Sequence, residues 1–170
     1  MCAVPSGPWA GLFSRVGDRW TEVAGAWDQH ADGRLYPFYD WHAVMAYLGA
    51  GRDGDVERVT GALERTASGN TDTARWSGAV ALPLVRGFRA FWRSEYAECA
   101  EALHAARYIV NQFGSSHAQR DVIDWTLTEA AVRGKLTGLA EAFAHERLAL
   151  KPHSVINRRF LERAHVGGAR

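Results

Sequence analysis

Apolar positions recur with helical spacing along most of the chain, and nowhere does a sustained period of two appear. Trp20, Val23, Ala24 and Trp27 fall at i, i+3, i+4 and i+7, the buried stripe of an amphipathic helix. Further stripes predict helices over about 38–50, 55–67, 74–92, 95–113, 117–133, 136–150 and 155–165. Short polar or glycine-containing connections separate them. Pro37 suits the first turn of a helix, Thr73 and Ser154 are candidate caps, and Pro83 predicts a bend within 74–92. Residues 1–8, with two prolines and a glycine, read as a disordered N-terminus; 9–170 read as a single α-helical repeat domain.

Three stretches align at a spacing of 40 residues. Ala50, Ala90 and Ala130 share one position, and Ala62, Ala102 and Ala142 another. Gly54, Ser94 and Gly134 would then be hairpin tips, each followed two residues later by an apolar residue that opens the returning helix. Self-similarity at this period is the mark of stacked repeats, in which each unit buries its apolar face against its neighbours. The expectation is an all-α right-handed superhelix of about three antiparallel hairpins with a C-terminal capping helix.

Composition narrows the class. Of 170 residues, 47% are hydrophobic and 23% charged, and the net charge of +1 gives no electrostatic footprint for nucleic acid or a membrane surface. Cys2 and Cys99 are too few and too far apart for a disulfide framework, and no apolar run approaches a membrane span, so a cytoplasmic location is expected. No zinc spacing, P-loop or nucleophile elbow occurs, and no metal or cofactor is expected. Gly49-Ala-Gly-Arg-Asp-Gly54 matches GxGxxG literally, but it follows an amphipathic helix where a dinucleotide site needs a strand.

A small-residue turn followed by an acidic and an apolar residue, with small residues along both helices, resembles the tetratricopeptide repeat. The clearest copy runs from Arg86 to Ala106, and the third repeat ends in Leu-Ala-Leu-Lys-Pro at 148–152. Longer strings are similar to the tetratricopeptide repeat protein 38 family: Gly-Asp-Arg-Trp at 17–20 and Tyr-Pro-Phe-Tyr-Asp-Trp-His-Ala-Val-Met-Ala-Tyr-Leu-Gly-Ala-Gly-Arg at 36–52. Gly-Ser-Ser-His-Ala-Gln-Arg-Asp-Val at 114–122 and Asn-Arg-Arg at 157–159 follow in the same order. The resemblance implies a helical superhelix and the C-terminal part of a longer protein. It carries no established activity.

On the 40-residue ruler, His117, Asp121 and Asp124 occupy positions that are apolar in the other copies, such as Ala81 and Leu84, or Trp41 and Val44. Carboxylates at such a face need partners or shift their pKa values. They are tied to the last helix by ion pairs, or they line a polar pocket with Arg120. A second candidate segment is Asp40, Trp41 and His42, where Asp40 is also explained by its helix N-terminus and His42 by a satisfied core. If both segments face one groove, Trp41 and Trp125 would wall a site holding Asp40, His42, His117, Arg120, Asp121 and Asp124. The leading expectation is a non-catalytic module presenting a concave groove to a protein, a peptide or another extended ligand, with self-association into a homodimer favoured by exposed ends. The competing one is a small-molecule-binding protein or cofactor-independent enzyme, with His42, His117 and Asp121 as acid–base groups.

Overall fold

The computed structural model describes residues 18–34, 36–114 and 116–168, so the expected disordered segment 1–8 and the first residues of the domain expected over 9–170 lie outside the described residues. Within them every regular element is helical. The order is α1 (Arg19–Trp27), α2 (Pro37–Gly49), α3 (Asp53–Ala67) and α4 (Asp72–Trp76). α4 runs through a π turn (Ser77–Ala81) into α5 (Leu82–Trp92), followed by α6 (Tyr96–Arg107) and a 3-10 turn (Val110–Phe113). α7 (His117–Arg133), α8 (Thr137–Leu150) and α9 (Val155–Gly168) complete the chain. No described helix is long and apolar enough to cross a membrane.

Three turns share one hydrogen-bond pattern. Arg52, Glu95 and Leu136 each donate their backbone N–H to the carbonyl five residues back, at Tyr47, Ala90 and Ala131. The residue before each donor takes positive φ: Gly51 (69°), Ser94 (64°) and Lys135 (56°). This is the Schellman closure, which satisfies the orphan carbonyls of a helix end through one left-handed residue. Gly54 is not a tip; it lies within α3, and Gly134 has ordinary helical φ. The equivalent turns are therefore 43 and then 41 residues apart, not 40. Moved by those intervals, Asp124 and Trp125 align with Asp40 and Trp41 of the first copy, so the contrast read from the 40-residue ruler disappears there, while the second copy keeps an apolar residue, Pro83, at the Asp124 position.

Local chemistry accounts for the other boundaries. Thr71, not Thr73, caps α4 by accepting from the Ala74 N–H at 3.1 Å. The bend expected at Pro83 is a π turn just before it, where the helix absorbs the donor that proline lacks. α6 ends six residues earlier than expected at Arg107 and tightens into the 3-10 turn, which Gly114 closes at φ 88°. Ser116 and Gln119 form a reciprocal capping box at the start of α7. Ser154 Oγ accepts from the Asn157 N–H at 3.3 Å and caps α9.

α2 pairs with α3, α5 with α6, and α7 with α8, while α2, α5, α7 and α9 touch in sequence. α6 and α8 also pack on the first helix of the following pair. Trp41, Tyr47, Phe88, Phe91, Leu103, Ile123 and Leu127 are fully buried along this seam. Burying each such side chain contributes about 1.5–3 kcal/mol.

Candidate functional site

The amphipathic stripe of α1 sets Trp20, Val23 and Trp27 over α2. Gly49 permits the approach, since a β-carbon there would stand 2.4 Å from Trp20 Cδ2. α2 adds Trp41, His42, Met45 and Ala46, α5 adds Phe88 and Trp92, and α7 adds Gln119 and Val122. Together they enclose a cavity of about 290 Å³. Among the described residues, four tryptophans line it, and none of the lining side chains is an acid, an arginine or a lysine. That is the composition of a site for an uncharged apolar molecule.

The polar atoms on this wall are few. His42 lies 4.2 Å from the Phe38 ring and 4.6 Å from the Trp41 ring, centroid to centroid. Its Nδ1 lies 2.8 Å from the Phe38 carbonyl oxygen. A carbonyl only accepts, so Nδ1 carries the proton. Burial lowers the His42 pKa, and the bond to Phe38 only partly opposes that, so the ring is neutral and Nε2 keeps its lone pair. Trp41 is fully buried, with its ring 5.5 Å from Phe88, and its Nε1 has no hydrogen-bond partner among the described residues.

Asp40, beside them in sequence, serves a different purpose. It is 1% exposed, and its Oδ1 accepts from the Gly33 N–H at 2.9 Å. Gly33 has φ 69° and presses on α3, where a β-carbon would meet that of Ala62 at 2.6 Å. Asp40 thus clamps the α1–α2 loop against α3. Burial raises its pKa to about 6, and Oδ2 has no hydrogen-bond partner among the described residues.

The α7 candidates divide. His117 is exposed at the N-terminal end of α7, with Nδ1 3.2 Å from Arg120 Nη2. Arg120 also reaches the Gly114 carbonyl at 3.4 Å. Asp121 pairs with Arg147 at 2.9 Å and Lys151 at 3.2 Å. Burial alone would raise Asp121, but the hydrogen bonds and charges of these two cations hold its pKa below the usual range. Asp124 pairs with Arg107 Nε at 2.8 Å, and Arg107 also forms a fork with Glu146, both bonds 2.9 Å. Burial raises Asp124 despite that attraction. The space between these groups is about 30 Å³, roughly one water's share of liquid volume. Trp125 packs on α9, 5.8 Å from the Phe160 ring.

Trp41 and His42 therefore meet on the aromatic cavity, while Asp121 and Asp124 meet in an ion-paired seam between α6, α7 and α8. His117, Arg120, Trp125 and Asp40 line neither space. The seam continues at Glu129, 3% exposed, which takes both terminal nitrogens of Arg163 at 2.7 and 3.0 Å and also pairs with Arg133. Sequence reasoning missed Trp20, Trp27, Phe88 and Trp92 as wall residues and Glu129 as the buried acid. The signal was the tryptophan count, since each ring taken singly reads as ordinary core.

Among the described residues no group of acids, histidines and cysteines could hold a metal ion. No protein-family model matches the sequence, and no solved structure matches the chain.

Proposed function

We propose that this chain is a non-catalytic binding protein built on tetratricopeptide-like hairpins, and that its binding site is the tryptophan-lined cavity between α1, α2, α5 and α7. The observation that carries the reading is a cavity of about 290 Å³ with four indole walls and no acid, arginine or lysine among its described lining residues. Such a space favours an uncharged small molecule over an extended peptide, whose backbone would need polar partners along its length. The α7 carboxylates favour the same conclusion, because their arginine and lysine partners occupy them. His42 has no carboxylate beside it on the cavity wall, which favours holding a molecule over turning it over.

The three identical hairpin closures, and the strings similar to the tetratricopeptide repeat protein 38 family, support a right-handed superhelix. The buried Cys99 thiol, its pKa pushed up to about 12 by burial, suits a reducing cytoplasmic setting.

Thermal unfolding of the full chain with excess naphthalene tests the reading. Saturation at about a hundred times Kd adds roughly 2.7 kcal/mol, or a Tm rise of about 5–10 °C at this chain length. Val122→Trp, which fills the cavity from α7, abolishes the rise. No rise in the wild type would contradict the proposal.

A further inference from the structure

The cavity is apolar, yet one of its wall residues carries hydrogen-bonding capacity that no described residue uses. His42 Nδ1 is committed to the Phe38 carbonyl, which leaves Nε2 as an acceptor without a partner among the described residues. Trp41 Nε1–H also lacks a partner there, but Trp41 has no exposed surface, so that donor does not open on the cavity. An acceptor left unmatched under a ligand costs affinity, so this wall favours a molecule that brings one donor to the imidazole. A neutral hydroxyl supplies that donor.

Size and charge complete the specification. An apolar cavity of roughly 150 Å³ holds one benzene ring. This one has about twice that volume, room for two fused rings. Indole faces stack on flat rings, and the absence of acids, arginines and lysines among the described wall residues disfavours an ion, whose desolvation none of them would offset.

We infer that the cavity takes an uncharged two-ring aromatic bearing a hydroxyl, which donates to His42 Nε2. The inference rests on the cavity reading above and adds the chemical class of its ligand.

Three probes separate the two claims: naphthalene, which only stacks; 2-methoxynaphthalene, which accepts but cannot donate; and 2-naphthol, which does both. Dissociation constants for the full chain at neutral pH come from tryptophan fluorescence or calorimetry. 2-Naphthol is expected to bind roughly three- to tenfold tighter than the other two, the gain from a net hydrogen bond. In His42→Phe, which keeps an aromatic ring of similar size, its advantage over 2-methoxynaphthalene vanishes while naphthalene binding stays within about twofold. Equal affinities in the wild type overturn the inference and leave the cavity reading standing; so does a 2-naphthol preference that survives His42→Phe. Should no probe bind the wild type at all, the cavity reading falls too. The wild-type comparison needs no variant, so it decides even if a substitution prevents folding.

Discussion

The aromatic cavity and the ion-paired seam are built from the same helices to opposite rules. Around the cavity, polar capacity is scarce and left unused: one imidazole nitrogen has no protein partner among the described residues. Along α7 the reverse holds. Asp121, Asp124 and Glu129 each meet at least one arginine, and the space between the first two is no larger than a water. The first arrangement leaves something for a ligand to satisfy; the second pairs its charges within the fold, although Asp124 Oδ1, 2.8 Å from Arg107 Nε, makes no aligned hydrogen bond. Charge in a sequence draws attention, but charge that is already paired does structural work, joining α6, α7, α8 and α9.

The largest effect belongs to the wall of the cavity. Phe88→Ala, at a fully buried ring, is expected to lower unfolding free energy by about 3–5 kcal/mol and to loosen ligand binding, read by denaturant titration. A loss below about 1 kcal/mol would mean that this wall is not packed as described.

Two buried carboxylates give opposite pH responses. Asp40 keeps its proton in the folded state up to about pH 6, above its ordinary value of 3.8. Its contribution is therefore complete at low pH and is lost as pH rises through that window, a change on the order of 3 kcal/mol. Asp40→Asn should flatten that fall, and an unchanged slope would refute the assignment. Glu129 runs the other way. Burial would raise it, but the hydrogen bonds from Arg163 and Arg133 outweigh that and hold its pKa below 4.5. Its stabilisation is present at neutral pH and disappears as pH falls through the lowered folded value.

Glu129→Ala should cost about 2 kcal/mol at neutral pH, because the freed arginines are partly exposed and recover some hydration. Asp121→Asn should cost about 1 kcal/mol, because it leaves the buried Arg147 without that carboxylate, and the share owed to the exposed Lys151 should fade in high salt. A larger, salt-independent loss would place Asp121 in a role beyond the seam.

Much of the helical content was legible because each helix needs only one stripe of apolar residues, and Trp20 to Trp27 or Ile123 to Leu127 supply it locally. The hairpin register was less so. Glycine is the usual left-handed residue, which made Gly54 look like a tip, yet Ser94 and Lys135 take that conformation with a β-carbon. A turn is defined by its hydrogen bonds, and these put the repeats 43 and 41 residues apart. The cavity was legible only in part. Trp41 and His42 stood out as polar or aromatic anomalies, whereas Trp92 and Val122 join them only through packing of α5 and α7. The ion pairs of Asp124 with Arg107, and of Glu129 with Arg163, span separate helices, and no local pattern announces such pairs.

The most direct test of the contrast is a nitrogen-15 correlation spectrum of the full chain titrated with 2-naphthol. The indole N–H signals of Trp20, Trp27, Trp41 and Trp92 are expected to shift. Those of Trp76 and Trp125, and the guanidinium signals of Arg107, Arg147 and Arg163, should stay in place. Movement of the arginine signals with the cavity tryptophans unmoved would locate binding in the seam and contradict the account.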